Sequence, residues 1–314
     1  MKGNPMSDER WPSLPLAEWQ DTYATLHMWT QIIGKIRLAL TPLINHWWNV
    51  PLYVTARGLT TLPMPCGRRI YQIDFDFVDH QLVASRDDGT RDRLQLRPMS
   101  VAEFYGETMA MLGGIGLNVK IWPVPVEVQN PIPFLQDHDN AAYDPDYANR
   151  FWRILTQAER VFTEFRSRFI GKCSPVHFFW GSFDLAVTRF SGRRAPEREG
   201  ADAITREAYS HEVISHGFWP GMRVERDRAD GNVYEPAFYS YTAPEPEGLS
   251  AQLIRPEKAL YNSTAKEFIF LYDDMRKMDS PDDALMEFLE STYDVGAALA
   301  GWDRAELERN HRLE

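Results

Sequence analysis

Residues 70–77 read Ile-Tyr-Gln-Ile-Asp-Phe-Asp-Phe, an alternation of apolar and polar side chains that is typical of a half-buried β-strand. The alternation places Asp74 and Asp76 on one face and Ile73, Phe75 and Phe77 on the other. The turn dipeptide Asp88-Gly89 lies further along, between two more strand-like runs, and predicts a β-hairpin. This part of the chain is therefore expected to form a sheet with one buried face.

Amphipathic helices are predicted before and after this sheet. Their start signals, which are N-cap residues or prolines, are Pro15, Ser100, Asp144 and Ser280. The first helix would run from Leu16 to Ile33 and end at Gly34. The third carries a continuous apolar stripe from Phe151 to Phe169. Helices and hairpins together predict an α+β fold, with β-rich sheets packed against amphipathic helices.

Several other segments have the composition of strands or turns. The further strand predictions are residues 35–40, 52–55, 176–190, 234–241, 250–255 and 267–272. Residues 191–210 are polar and show no periodicity, which predicts a long loop or lid. A turn is predicted at Asp230-Gly231-Asn232.

Four prolines between residues 123 and 133 interrupt the middle of the chain, and this stretch is expected to form a short edge strand followed by a linker. The predicted organisation is an N-terminal α+β half at 1–122, a Pro-rich linker at 123–143 and a C-terminal α+β half at 144–314. This division leaves open whether the two halves pack as one unit.

The two halves also show local similarity, which suggests an internal duplication. The matching pairs, in the same order along the chain, are 34–41 with 181–188, 46–48 with 216–219, and 51–55 with 236–240. They would describe two related α-β-β-β-α halves with pseudo-two-fold symmetry. Lys35 and Arg37 would then correspond to Ser182 and Asp184, and the four could jointly hold a polar ligand. The alternative is that these short β motifs agree by chance. The faces that carry Lys35, Arg37, Ser182 and Asp184 would then simply be solvated.

Charge and length exclude several classes of protein. The 314 residues include 34 Lys and Arg against 45 Asp and Glu, a net charge of −11. An acidic surface repels nucleic acid and anionic lipid, so neither is expected as a partner. The uncharged stretch 38–56 contains prolines and asparagines, so no membrane span is predicted. Two cysteines without zinc spacing, and a start without an apolar signal, favour a cytoplasmic location.

Aromatic residues make up 13% of the chain, and many lie beside polar side chains between residues 177 and 241. Such a mixture is typical of a small-molecule pocket. The predicted acid–base residues are His177, Asp184, His211, Glu212 and His216. The predicted ligand contacts are Lys35, Arg37, His46, Trp180, Arg189, Arg193, Trp219 and Tyr239. The alternative interpretation is a hydrophobic core with satisfied histidines.

The sequence matches a known metal-binding motif only in part. His211 and His216 resemble a zinc-protease motif, but they are five residues apart, which on a helix turns them by roughly 140° and on a strand puts them on opposite faces. A looser divalent-metal site, drawn from the five acid–base candidates on separate elements, stays open. The sequence contains no nucleotide-binding motif, so the cofactor is left unknown.

Three stretches resemble a bacterial family known only as a domain of unknown function. They are LHMWTQ at 26–31, NHWW at 45–48 and HFFWGSFDLAVTRFSGR at 177–193. The resemblance extends over nearly the whole chain and implies a self-contained bacterial protein. It implies no activity.

The resulting hypothesis is a cytoplasmic protein that binds a small molecule in an aromatic-lined pocket. In its enzymatic version, His and carboxylate groups perform acid–base or metal chemistry there. The alternative is a noncatalytic ligand-binding or protein-interaction protein whose aromatics form the core. The sequence leaves the substrate, the reaction and the oligomeric state open.

Overall fold

The structure, a computed structural model, describes residues 9–221 and 235–309. These residues form seven α-helices and two six-stranded antiparallel sheets, which confirms the α+β class. The helices are α1 (Leu16–Leu40), α2 (Val101–Gly114), α3 (Pro145–Ser167), α4 (Ala203–Ala208), α5 (Tyr272–Arg276), α6 (Pro281–Leu299) and α7 (Arg304–Leu307). Short 3₁₀ helices occupy Asn45–Trp47, Phe134–Gln136 and Leu249–Ala251.

The first sheet has the order β1-β2-β4-β5-β6, with β3 paired to β4. Its strands are β1 (Tyr53–Val54), β2 (Gly58–Thr60), β3 (Met64–Cys66), β4 (Arg69–Asp76), β5 (Gln81–Arg86) and β6 (Arg91–Gln95). Strand β4 buries alternate residues, as its sequence predicts. The predicted hairpin joins β5 to β6, and Gly89 adopts a φ of 88° in its turn. Helices α1 and α2 pack beside this sheet, where Trp29 stacks on Phe104 at 4.6 Å.

The second sheet has the order β11-β12-β10-β9-β8-β7. Its strands are β7 (His177–Phe179), β8 (Asp184–Arg194), β9 (His211–Trp219), β10 (Ala237–Ala243), β11 (Leu260–Asn262) and β12 (Glu267–Leu271). One face packs on helices α3, α5 and α6 through rings such as Phe162 against Phe238. We call it the helix-covered face.

The two sheets are joined at their edges and share a core. Leu52, next to β1, exchanges two backbone hydrogen bonds of 2.9 Å with Phe178 of β7. Behind this junction, Phe151 of α3 stacks on Trp19 of α1 at 5.3 Å and on Phe183 at 5.2 Å. Burying these large rings against each other is a main stabilising contribution.

Helix α1 is longer than predicted, because Gly34 does not end it and residues 35–40 are helical. The strand prediction for 35–40 is wrong. An ideal β-carbon at position 34 would lie 2.3 Å from ring atoms of Trp180, so a side chain there would clash. Gly34 therefore permits a close helix–indole contact, and the helix ends at its C-cap, Thr41.

The predicted duplication is not confirmed. Its first match aligns helical residues 34–40 with the strand β8, and its second aligns a 3₁₀ helix with β9. Lys35 and Arg37 lie on a helix, so they do not occupy strand positions equivalent to Ser182 and Asp184.

Other boundaries also differ from the predictions. The run 176–190 forms two strands, β7 and β8, separated by a turn in which Phe183 has a φ of 59°. Strand β8 continues to Arg194 and α4 follows, so 191–210 is not a continuous loop. No strand forms at 250–255, where Leu253 is 96% exposed and has no neighbouring strand. The turn predicted at 230–232 lies outside the described residues.

The predicted helix starts are borne out to different degrees. Ser100 Oγ accepts a hydrogen bond from the Glu103 N–H at 3.1 Å, and Asp144 accepts from the N–H groups of Asp146 and Tyr147. Both caps are confirmed. Helix α6 begins at Pro281 as predicted, although the Ser280 side chain makes no capping bond.

Residues 123–143, all of them described, contain no strand, so the predicted edge strand is wrong. Phe134 is fully buried, and the Gln31 side chain bonds the backbone N–H and C=O of Val126 at 2.8 and 2.7 Å. The segment thus packs against α1. The division of the chain into two halves at this segment stays a prediction.

Within the described residues, no helix is long and apolar enough to cross a membrane.

Candidate functional site

The face of the second sheet opposite its helices carries most of the polar candidates. Strand alternation and register place these side chains on it: His177, Phe179, Asp184, Ala186, Thr188, Phe190, Val213, Ser215, Gly217, Trp219, Tyr239 and Tyr241. We call this surface the polar face. A row of hydroxyl groups crosses it, in which Thr188 and Ser215 are 2.9 Å apart.

Asp184 lies at the start of β8 and is 6% exposed. Its two carboxylate oxygens accept hydrogen bonds from the hydroxyls of Ser182 and Tyr239. Burial raises the pKa of Asp184, and the two hydroxyl donors oppose that shift. The carboxyl group is thus held in a fixed orientation on the polar face.

Tyr239 reaches Asp184 because its neighbouring strand carries a glycine. Gly217 pairs with Tyr239, and ring atoms of Tyr239 lie 2.3 Å from an ideal β-carbon at position 217. The tyrosine therefore lies flat across the strand. Tyr241 stacks parallel to it at 6.1 Å, and its hydroxyl is 3.0 Å from that of Tyr209.

The charge of Asp184 acts on two further carboxyl groups. Burial first, and the charge of Asp184 second, raise the pKa of Glu127 and raise that of Glu267 to about 7. Within residues 9–221 and 235–309, none of the three forms a salt bridge. In the same residues no three His, Cys, Asp or Glu side chains are grouped so that they could hold a metal ion.

Among the described residues of the polar face, His177 is buried without a hydrogen-bond partner. It is 1% exposed, and within residues 9–221 and 235–309 neither ring nitrogen has a hydrogen-bond partner. The rings of Trp48 and Tyr53 lie 5.8 and 5.5 Å from its own. Burial, with smaller contributions from the charges of Arg37 and Arg166, lowers the pKa of His177 to about 3. The imidazole is therefore neutral near pH 7, with one donor and one acceptor nitrogen open.

Arg37 projects from α1 towards the same rings. It is 6% exposed, and its guanidinium donates to the Thr61 carbonyl and lies 5.6 Å from the Tyr53 ring centroid. Within the described residues, its Nε is buried without a hydrogen-bond partner, and its guanidinium forms no salt bridge. Burial lowers the pKa of Arg37. A buried cation without an anion is costly, which makes this group a candidate ligand contact.

Trp48 connects His177 to a second polar cluster. His46, Phe190 and the Lys172 amine all contact the Trp48 ring, the amine at 5.2 Å from its centroid. The His211 ring lies 5.6 Å from that of His46. His46 thus lies beside the polar face, and its role in ligand binding stays a prediction.

The remaining acid–base candidates lie on the other side of the sheet. His216 is fully buried on the helix-covered face, 3.1 Å from Thr292 Oγ1 and 4.8 Å from the Phe165 ring centroid. Glu212 bonds Arg193, whose guanidinium also donates to backbone carbonyls at the end of α6. The five predicted residues therefore do not form one site. His211 and His216 point to opposite faces, as their odd spacing predicts.

Arg189 also lies on the helix-covered face, 1% exposed. Its guanidinium carbon is 3.4 Å from the Phe165 ring centroid and 4.3 Å from that of Tyr293. Its Nη1 is 3.6 Å from a Glu290 oxygen. These contacts give Arg189 a structural role between α3 and α6.

The other ligand candidates lie near one end of the polar face. Trp180 donates from Nε1 to the Val50 carbonyl at 2.8 Å, and Lys35 Nζ lies 5.8 Å from its ring centroid. Trp219 is half-buried at the end of β9. Two surface clefts, of about 720 and 460 Å³, lie elsewhere, around the start of α6. The predicted single aromatic-lined cavity stays a prediction.

Comparison with known proteins supports a family assignment. The model of the family of unknown function DUF5996 matches residues 11–309. The chain belongs to this family. No curated protein and no solved structure matches the chain. Because the DUF5996 family has no assigned function, the activity must be argued from the site itself.

Several groups at the site were missed from the sequence. Glu127, Glu267 and Tyr241 come from separate segments, and no local pattern brings them to Asp184. Lys172 follows Gly171 in a stretch that has no motif. The alternation of Tyr239 and Tyr241 in a predicted strand was the one usable signal, because residues two apart share a face.

Proposed function

We propose that this protein binds a small polar molecule on the polar face, with His177 and Asp184 as its principal contacts. The observation that carries the proposal is His177, which is 1% exposed and whose two ring nitrogens have no hydrogen-bond partner in the described part of the chain. A buried polar group without a partner costs about 1–3 kcal/mol. A ligand that bonds the imidazole would recover this free energy.

The spacing of the two groups suits one small ligand. In the register of β7 and β8, His177 pairs with Ala186 and Phe179 with Asp184, so the two side chains are two residues apart. At roughly 3.3 Å per residue, this corresponds to about 7 Å along the strands. One molecule of several heavy atoms spans that distance.

The neighbouring groups limit the chemistry of the ligand. The open Arg37 Nε calls for a hydrogen-bond acceptor or an anionic group at this end. At the other end, Asp184 and its acidic neighbours favour a donor or a cationic group. The half-buried tyrosine rings add apolar contact area. A ligand with an acceptor at one end and a donor at the other fits both.

Acid–base catalysis is the enzymatic form of this proposal. A carboxyl group whose pKa is raised by burial exchanges protons more readily near neutral pH. Neutral His177 can accept or donate a proton to the same ligand. These proton transfers use His177 and Asp184 alone. We also propose a cytoplasmic location. The net charge of −11 disfavours nucleic acid and anionic membranes as partners.

Binding without catalysis is the second candidate. It is favoured by the separation of Glu212 and His216 from His177, which leaves fewer acid–base groups on the polar face. In this version the ligand is recovered unchanged after incubation with the protein. Turnover of the ligand by the wild type, lost in Asp184→Asn, would instead establish the enzymatic version.

A thermal-shift screen of small polar metabolites tests the proposal. A ligand at 100 times its Kd stabilises the folded protein by about 2.7 kcal/mol. We expect such a ligand to stabilise the wild type and to lose most of its effect in His177→Phe and Asp184→Asn. The matched control is Glu212→Gln, on the opposite side of the sheet, which should bind normally. Equal binding by all four proteins would overturn the proposal.

A further inference from the structure

Lys172 and His46 form a pair of side chains that the proposed function does not use. Lys172 lies beside β8, where its carbonyl accepts a hydrogen bond of 3.0 Å from Phe190 N–H. Its Nζ is 2.7 Å from Nε2 of His46. The side chain is exposed, so a solute can approach the amine.

The hydrogen bonds of His46 determine its tautomer. Its Nδ1 lies 3.1 Å from the Glu207 carbonyl oxygen and 3.3 Å from that of Ala208. A carbonyl oxygen only accepts, so Nδ1 carries the proton and Nε2 presents a lone pair. The Lys172 amine therefore donates to Nε2. A nucleophile bonded to a base, which a third group orients, is the arrangement found in activated nucleophiles.

The backbone keeps this histidine in place. His46 has a φ of 58°, a conformation that residues with a side chain seldom adopt, and its N–H donates to Glu207 Oε1 at 3.1 Å. Helix α4 therefore holds both the ring and the backbone of His46. Strained residues of this kind are concentrated at functional sites.

The surroundings of the amine are aromatic. The Lys172 Nζ lies 4.9 Å from the Phe190 ring centroid and 5.2 Å from that of Trp48. Among the described residues, Lys172 forms no salt bridge with a carboxylate. Partial burial lowers the pKa of Lys172, and burial together with the lysine charge lowers that of His46. At a given pH, a larger fraction of the Lys172 amine is therefore neutral than in a solvated, ion-paired lysine.

We propose that Lys172 is a nucleophile towards small aldehydes or ketones, with His46 as its base. The ring faces of Trp48 and Phe190 beside the amine favour a carbonyl compound with a flat or apolar body. This activity goes beyond the ligand binding proposed above, because it depends on neither His177 nor Asp184.

The reaction is an imine formation that needs no other reactant. The Lys172 ammonium passes a proton to His46 Nε2, and the amine then forms a C–N bond to the carbonyl carbon while the C=O electron pair moves to oxygen. The His46 imidazolium returns its proton to that oxygen. A second transfer through His46 takes a proton from nitrogen to the hydroxyl, which leaves as water. The net change is ammonium plus carbonyl to protonated imine plus water.

Reductive trapping tests this activity in the full chain. The protein is incubated with benzaldehyde and sodium cyanoborohydride at pH 7, and the tagged lysines are identified by peptide mass spectrometry. Lys258 and Lys277, which are ion-paired with Asp274 and Asp273, serve as internal references. We expect Lys172 to be tagged at least about tenfold faster than either, since a positioned general base such as His46 typically accelerates a proton transfer by about 10²–10⁴-fold. Equal tagging of the three lysines in the wild type would overturn the proposal.

Two variants test whether His46 is the base that activates Lys172. His46→Gln should slow the tagging of Lys172 towards that of Lys258, with Lys258 itself unchanged. His80→Gln is the matched control, because His80 bonds the Tyr143 hydroxyl beside the first sheet and not Lys172, and it should tag like the wild type. Unchanged Lys172 tagging in folded His46→Gln would contradict the role of His46. The wild-type comparison of lysines stays decisive if that variant does not fold.

Discussion

Gly34 of α1 lies directly against the indole ring of Trp180, three of whose atoms are 2.3 Å from an ideal β-carbon at position 34. This contact brings α1 against the turn that precedes Asp184. It also allows α1 to continue past a glycine to Leu40. One close contact therefore explains both the length of the helix and the position of the turn beside the polar face.

Gly34→Ala is expected to destabilise the protein. The added methyl group overlaps the indole, and overpacking of this kind typically costs about 1–3 kcal/mol. Gly106→Ala in α2 is the matched control, because nothing lies within 4 Å of its ideal β-carbon. It should stabilise the helix by roughly 0.5–1 kcal/mol. Urea unfolding followed by circular dichroism measures both, and a stabilised Gly34→Ala would contradict the contact.

The buried His177 should make stability depend on pH. Its folded pKa of about 3 lies below the unfolded value near 6.5, so the unfolded chain binds the proton first as the pH falls. Its contribution is complete above about pH 6.5 and is lost towards pH 3. Between pH 7 and pH 5 the wild type should lose about 2 kcal/mol more than His177→Leu.

Urea unfolding at pH 5, 6 and 7 gives the free energies needed for this comparison. The control is His138→Leu, which alters an exposed histidine and should keep the wild-type dependence. Parallel pH profiles for the wild type and His177→Leu would show that His177 is not buried as a neutral ring.

Tyr239→Phe is expected to lower the free energy of unfolding while leaving the shape of the polar face unchanged. The variant removes the hydroxyl that donates to Asp184, and a hydrogen bond to a charged group is worth about 1.5–3 kcal/mol. The control Tyr261→Phe removes an exposed bond to Glu245 and should stay within about 0.5 kcal/mol of the wild type. If both variants have the same unfolding free energy in urea, the Tyr239–Asp184 bond contributes nothing to stability.

Arg189→Ala is expected to affect stability rather than ligand binding. It removes a guanidinium that is buried between two rings and donates to the Phe165 carbonyl, while Glu290 keeps its pair with Arg168, so a loss of about 1–3 kcal/mol is expected. Arg255→Ala breaks the exposed pair with Glu287 and should cost at most about 1 kcal/mol. Thermal unfolding distinguishes the two. A stable Arg189→Ala that fails to bind ligand would restore the predicted ligand role of Arg189.

Local chemistry explains which site features were predictable. His211 and His216 point to opposite faces because an odd spacing on a strand requires it. The grouping of His177 with Glu212 and His216 failed, because nearness in sequence does not determine which side of a sheet a residue occupies. Lys172 was missed for the same reason, since its partner His46 lies 126 residues away.

The sequence by itself determined the elements whose signals are local. The alternation at 70–77, the turn at Asp88-Gly89 and the caps at Ser100 and Asp144 all depend on neighbouring residues, and the structure confirms them. The tertiary structure decided what depends on distant contacts. Trp180 determined whether Gly34 ends a helix, and strand pairing determined which side chains meet at Asp184. Packing against a distant residue overrides a local preference of about 1 kcal/mol.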